Sequence, residues 1–163
     1  MDMGWAARLG GDGRHVAMAV RIDHKTCGPD GRFHYGRDEF TFDLLTGAPH
    51  PLPFSVYGTL PVDLNGDGLH ELVRGIPGGD GEVLDREGRP LGSVGGTVAL
   101  ACRFLDHPGE QILAYYPDGA LRVWGDRRAE DSPAARARYA HPFYAANRRL
   151  MSSGANLVAL AGL

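Results

Sequence analysis

One short stretch of the sequence has the residue types and the spacing of a metal-binding loop. Oxygen-bearing side chains stand at every second position, Asp63, Asn65 and Asp67, and a glycine follows the third of them. A backbone carbonyl at Leu69 and the carboxylate of Glu71 would complete the cage, because calcium prefers several oxygen ligands in loose geometry. The sequence therefore predicts a calcium site here, with a metal-free hairpin rich in glycine and aspartate as the alternative.

The same stretch does not fit an EF-hand. An EF-hand loop requires glutamate at its twelfth position, and Arg74 stands there. The flanking residues alternate between apolar and polar types as strands do, rather than in the helical period. We therefore expect the metal loop to connect the two strands of a β-hairpin.

The loop lies inside a pattern of short strands that recurs along the chain. Residues 60–94 predict four strands joined by turns, and residues 97–125 repeat the order of strand, polar loop and strand. An Asp-Gly or Glu-Gly pair between apolar runs indicates a hairpin, since glycine supplies the positive φ that the turn requires. Residues 6–20 open in the same way, and a longer polar loop over residues 23–38 follows them.

Repeats of about 40 residues with four strands each are typical of β-propeller blades. The sequence therefore predicts an all-β fold whose residues 1–125 form about three four-stranded, propeller-like blades, at about 5–58, 59–95 and 96–125. A meandering antiparallel sandwich, which has similar turns, is the alternative. Because closed propellers need roughly four to eight blades, we expect upstream blades or self-association to complete the ring.

Residues 126–163 break the repeat and predict a C-terminal extension with short helices. Ser132 followed by Pro133 is typical of a helix start, since serine caps the first turn and proline suits its first position. A second helix is predicted over residues 142–151, and the apolar residues 156–163 form a candidate closing strand.

The extension also carries a cluster of basic residues. Six arginines lie within it: Arg127, Arg128, Arg136, Arg138, Arg148 and Arg149. One interpretation is a surface that faces an acidic polymer, and the other is a solvated helix face that offsets the charge of an acidic body.

Residues 62–73, with the metal-loop spacing described above, resemble the calcium hairpin of FG-GAP-type propeller repeats. Residues 82–91 are similar to the outer hairpin of bacterial polysaccharide-degrading propellers, above all rhamnogalacturonan lyases and more distantly ulvan lyases. The resemblance covers about residues 5–125. Only one complete loop is present, because the corresponding loops keep a single acid each, Asp12 and Asp106.

The resemblance implies a calcium-stiffened β-propeller portion of a carbohydrate-associated protein, which binds or presents a polysaccharide or protein partner. The alternative is part of a polysaccharide lyase that cleaves uronate-containing glycans by β-elimination. That reaction needs a cation or arginine to neutralise the uronate, a base for the α proton and an acid for the leaving oxygen. No catalytic residue is assigned from the sequence, and both hypotheses stay open.

Groups that could contact such a substrate are concentrated in the polar loop after the first repeat opening. His34, Tyr35 and Arg37 are the candidate substrate-binding residues, and His24 and Lys25 stand near them in the sequence. The alternative is a polar connection between strands whose side chains contact only water.

Composition limits the remaining function classes. The chain has 163 residues, a net charge of −3 and no apolar run of the length that a membrane span needs, so we expect neither a membrane protein nor a general nucleic-acid binder. An acid near the amino terminus stands where a signal peptide would have a basic residue. If the chain belongs to a secreted parent, its location is extracellular or periplasmic.

The two cysteines are predicted to differ in environment. We expect Cys27 to be a solvent-facing thiol and Cys102 to be a core residue, and a disulfide between them is the alternative.

Overall fold

The computed structural model describes residues 3–10, 12–31, 33–75, 81–152 and 158–159, with the backbone alone at 22–26, 33–37 and 158–159. The chain is mostly β, with 38% of its residues in strands and 14% in helices. The strands form three antiparallel sheets of three to four strands, and two short helices follow them. The predicted β-rich class with a short helical C-terminal segment is therefore confirmed.

The first sheet is built on one long hairpin. Its strands are β1 (Met3–Arg8), β2 (His15–Cys27) and β3 (Phe33–Asp43), each antiparallel to the one before it. Strands β2 and β3 pair from Val16 and Asp43 down to Cys27 and Phe33. The predicted loop over residues 23–38 is therefore wrong: a tight turn at 28–31 closes a hairpin there, and the polarity of the flanking residues concealed their backbone pairing.

The second and third sheets follow as simple meanders. The second consists of β4 (Thr59–Val62), β5 (Glu71–Arg74), β6 (Glu82–Leu84) and β7 (Pro90–Ser93), as predicted. The third consists of β8 (Thr97–Cys102), β9 (Gln111–Tyr115) and β10 (Leu121–Trp124), so this sheet has three strands rather than the four of a complete unit.

The first strands of the three sheets contact one another. Strand β4 lies against both β1 and β8. One apolar core runs through all three sheets and contains Trp5, Val62, Leu72 and Ile112. The Trp5 indole Nε1 also donates a buried hydrogen bond of 3.0 Å to Thr59 Oγ1, which links the first two sheets. The sheets are therefore held together through their first strands rather than through their outer edges.

The C-terminal extension contains the predicted helices. They are α1 (Pro133–Ala140) and α2 (Pro142–Ser152), and the two-residue strand β11 (Val158–Ala159) comes after them. The Ser132 side chain accepts a hydrogen bond of 3.1 Å from Ala135 N, which confirms the predicted helix cap. Strand β11 pairs in parallel with β1, as a closing strand would; the other residues of the predicted 156–163 strand lie outside the described residues.

The helices pack against β8 of the third sheet. Ala101 belongs to the common core, whereas Cys102 belongs to a second cluster that includes Tyr144 of α2 and Tyr139 of α1. Because successive side chains of a strand point to opposite faces, the helices shield the face that is turned away from the other sheets. Cys102 is buried and Cys27 exposed, and both are free thiols. No helix within the described residues is long and apolar enough to cross a membrane.

Replacing Ser132 with alanine is expected to destabilise the fold through α1. The cap bond to Ala135 N is lost, and such losses cost about 1 kcal/mol. Urea unfolding followed by circular dichroism measures this change. Ser152→Ala is the control, because its exposed hydroxyl bonds only a carbonyl at the end of α2; a loss there as large as in Ser132→Ala would contradict the capping role.

Candidate functional site

The predicted metal loop is the connection between β4 and β5. Asp63, its first residue, is completely buried. One carboxylate oxygen, Oδ1, accepts a hydrogen bond of 2.8 Å from Gly66 N, and the other, Oδ2, accepts one of 3.0 Å from Gly68 N. Both glycines have positive φ angles, 79° and 90°, that only glycine adopts without strain. The Asp63 side chain therefore fixes the path of the loop backbone.

The next two predicted ligands close smaller turns on the exposed side of the loop. Asn65 Oδ1 accepts a hydrogen bond of 2.9 Å from Asp67 N, and Asp67 Oδ1 accepts one of 2.8 Å from Leu69 N. Turns of this kind are a common use of asparagine and aspartate side chains. The alternating spacing thus has a local structural role, whatever the loop binds.

A first arginine contacts the remaining carboxylates. The Arg86 guanidinium, on the turn between β6 and β7, makes an ion pair with Asp67 and lies 3.5 Å from Glu71 Oε1. Glu71 also accepts a hydrogen bond of 3.1 Å from Leu64 N. Arg86 therefore joins the exposed and the buried ends of the loop.

A second arginine reaches the buried end from the C-terminal extension. Arg138 Nη2, on α1, lies 2.8 Å from Asp63 Oδ2 and 3.7 Å from Glu110 Oε1. The three side chains are 5%, 0% and 2% exposed, respectively. Glu110 accepts two further hydrogen bonds, of 2.8 Å from Asp63 N and of 2.7 Å from the Tyr144 hydroxyl. We call Asp63, Glu110 and Arg138 the buried triad.

Backbone hydrogen bonds fasten the same loop to its neighbours. The carbonyl of Asp63 accepts a bond of 2.7 Å from Glu110 N, and the carbonyl of Asn65 accepts one of 3.1 Å from Glu130 N. The carbonyl of Gly66 accepts one of 2.8 Å from Ser132 N, the cap of α1. The loop is thus bonded along its length to the third sheet and to the extension.

Burial changes the acidity of these groups. It raises the pKa of Glu71 to about 7, against the opposing effects of the hydrogen bond from Leu64 N and the charge of Arg86. Burial also raises the pKa of Asp63 and of Glu110, and the charge of Arg138 opposes both shifts. Burying a carboxylate without a nearby cation is costly, so the two arginines are what allows this group of acids to be enclosed.

Donors of the protein itself hold the Asp63 carboxylate at the start of the predicted calcium loop. Both oxygens of Asp63 already accept backbone hydrogen bonds, and one also contacts Arg138. Among the residues that the structure describes, no group of three or more Asp, Glu, His or Cys side chains is placed to hold a metal ion. Ligation of calcium by the five predicted ligands stays a prediction from the sequence; the observed geometry fits two guanidinium groups.

A cavity of about 460 Å³ lies beside the loop, where the first and second sheets meet. Its lining includes Arg14 from the turn before β2, His50 from the segment after β3, and Arg86. Asp12 is the carboxylate in the lining, 3.3 Å from the Arg14 guanidinium. Two guanidinium groups and an imidazole from three separate segments thus converge on one opening, and Arg86 belongs both to the cavity and to the loop.

The predicted substrate-binding residues lie elsewhere, on β3. His34 pairs with Thr26, Tyr35 with Lys25, and Arg37 with Ile22 across the long hairpin. Their side chains, like those of His24 and Lys25, lie outside the described residues.

Three important residues were missed in the sequence. Arg86 and Glu110 belong to no motif, and Arg138 stands in the basic cluster among arginines that are mostly exposed. A weak signal exists for Arg138, because it stands one helical turn after Ala135 and the two are the buried residues of α1. Nothing in the sequence pairs Arg138 with Asp63, which lies far from it along the chain.

Comparison of the chain with protein-family models, with curated proteins and with solved structures finds no match. The arrangement of the site therefore has to be interpreted from its own chemistry.

The raised pKa of Glu71 has a measurable effect on stability. Its value of about 7 in the folded state lies above the ordinary 4.5, so the folded state binds the proton more tightly than the unfolded state does. The resulting contribution of protonated Glu71 to the free energy of unfolding is lost as pH rises from about 4.5 to 7. We expect Glu71→Gln to gain stability relative to the wild type over that range. Urea unfolding at several pH values tests this; a constant difference between the two proteins would contradict it.

Gly109 is expected to tolerate no side chain, because its backbone packs directly against the backbone of the loop between β4 and β5. Its φ is 71°, and an added methyl group would overlap the carbonyl oxygen of Leu64. Gly119, with a φ of 82° and nothing near it, is the matched control. Alanine at either site costs about 1–2 kcal/mol for the backbone alone, so thermal unfolding should show a clearly larger loss for Gly109→Ala. Equal losses would mean that the loops separate freely.

Proposed function

We propose that this chain is a β-propeller-type scaffold portion that binds or presents a partner, and that the partner is an acidic polysaccharide. The scaffold part is supported by the succession of antiparallel sheets and by their packing through β1, β4 and β8. Packing through first strands is the arrangement that blades have around a propeller axis.

The cavity lined by Arg14, His50 and Arg86 is the observation that carries the partner class. A guanidinium presents a planar fork of donors that matches a carboxylate, and it keeps its charge at all relevant pH values. The volume of about 460 Å³ lies within the range of pockets that hold small ligands, which includes a single sugar unit. A carboxylated sugar of a longer chain suits both the charge and the opening.

Binding is favoured over the polysaccharide lyase alternative. In the described part of the chain, the cavity brings arginine and histidine side chains together beside Asp12, which suits holding a carboxylate. The candidate substrate-binding residues His34, Tyr35 and Arg37 are on β3, and their side chains lie outside the described residues. Incubation with polygalacturonate, followed by absorbance of unsaturated uronate, separates the two functions.

Replacing Arg14 with glutamine is expected to weaken binding of an oligogalacturonate about tenfold. The Arg14 side chain is 46% exposed and lies at the cavity, so its loss should leave the fold intact; one charge-assisted contact contributes about 1.5–3 kcal/mol. Titration calorimetry with the oligosaccharide and with its methyl-esterified form measures the effect, and the ester should bind weakly.

Arg21→Gln is the matched control, because Arg21 is 58% exposed and pairs with Asp38 on the long hairpin, away from the cavity. Binding should be unchanged in this variant. If the wild-type protein binds no acidic polysaccharide, the proposal fails. If it binds the methyl ester as tightly as the free acid, the proposal that the cavity recognises the sugar carboxylate is wrong.

A further inference from the structure

We propose that Arg138 is the resident cation of the loop over residues 63–71, so that a guanidinium group occupies the place of a metal ion and the folded protein takes no calcium there. This inference goes beyond the proposed function, since it concerns how the loop is held and does not depend on any ligand in the cavity.

The first support is the position of the guanidinium. Arg138 Nη2 contacts Asp63 Oδ2 at 2.8 Å, and Nη1 lies 3.3 Å from the carbonyl oxygen of Gly68. A side-chain carboxylate and a main-chain carbonyl of one loop are the kinds of oxygen that a calcium ion binds. Arg138 therefore takes up the same class of ligands from the same loop, at hydrogen-bonding distances.

The second support is that Oδ2 of Asp63, the oxygen that faces Arg138, has no free acceptor for a metal ion. Its Oδ1 accepts from Gly66 N, and its Oδ2 accepts from Gly68 N and from Arg138. The side chain is fully buried, so a cation could take the place beside Oδ2 only by displacing Arg138. Such a displacement would place the buried Arg138 next to a divalent ion. It is unfavourable because the two positive charges repel each other and because Arg138 loses its carboxylate partners.

The third support is the charge balance around Arg138. Two buried carboxylates, Asp63 and Glu110, share this one cation. The Tyr144 hydroxyl and Asp63 N donate hydrogen bonds to Glu110, which stabilise the remaining negative charge. Removing Arg138 would leave two enclosed carboxylates without a cation, a situation that calcium is well suited to relieve.

The fourth support is the way the loop is joined to the extension. The hydrogen bonds of Glu130 N to the Asn65 carbonyl and of Ser132 N to the Gly66 carbonyl fix the start of α1 against the loop. The loop thus determines the position of α1, and α1 in turn places Arg138 beside Asp63. The cation is thus part of the fold rather than a component taken from solution.

The experiment compares melting temperatures in calcium and in chelator for the wild type and for Arg138→Met, which keeps the apolar stem and removes the charge. We expect the wild-type Tm to be the same in both conditions. Arg138→Met should melt about 10 °C lower in chelator, as expected for breaking a buried ion pair. Millimolar calcium should raise its Tm by about 5 °C, because the freed carboxylates then bind the ion.

Arg149→Met is the matched control, because Arg149 is an exposed arginine of α2 and its loss should change neither the Tm nor the calcium response. The double variant Asp63→Asn/Arg138→Met removes the ion pair and keeps Glu110 as the remaining carboxylate of the buried triad; it should be more stable than Arg138→Met alone and should respond less to calcium. This variant keeps the comparison available if Arg138→Met does not fold.

The wild-type measurement is decisive by itself. A rise of the wild-type Tm in calcium that Asp67→Ala abolishes would overturn the inference, since the loop would then hold a metal with Arg138 in place. An Arg138→Met protein as stable as the wild type in chelator would overturn it as well. Neither result would affect the proposed binding of acidic polysaccharides at the cavity, which is tested on Arg14.

Discussion

The ion pair between Arg138 and Asp63 is the interaction on which the rest of the structure depends. Asp63 shapes the loop between β4 and β5 by accepting hydrogen bonds from two loop amides, and it can do so from a buried position only because a cation lies beside it. The cation comes from α1, so the second sheet, the third sheet and the C-terminal extension all meet at one charged group. Backbone hydrogen bonds from Glu130 N and Ser132 N to the loop reinforce the same junction.

The C-terminal extension also packs against parts of the sheets that would otherwise be exposed. A sheet that lacks a neighbour exposes an apolar face and unpaired strand edges, which proteins generally cover. Here Tyr139 of α1 and Tyr144 of α2 pack beside Cys102 of β8, and β11 pairs with the free side of β1. The extension therefore packs against the first and third sheets, and the buried triad is the point where it is fastened to the loop.

Arg86 connects the loop to an open cavity, whereas Arg138 is enclosed. The buried triad is enclosed, whereas the cavity that contains Arg14 and His50 is open. Arg86 lines the cavity and also pairs with Asp67 of the loop. Arg86 therefore holds the exposed half of the loop, and Arg138 holds the buried half.

The sequence by itself determined the local elements. Turn glycines, alternating apolar residues and the Ser132 cap predict the second sheet and α1, because turn chemistry and capping act over a few residues. It did not determine the hairpin of β2 and β3, since backbone pairing there is independent of the polar side chains that suggested a loop. Only the tertiary structure decided what neutralises the loop: the spacing of Asp63, Asn65 and Asp67 predicts a need for positive charge, but whether a metal ion or a distant arginine meets it depends on where the chain folds Arg138, which no local pattern encodes.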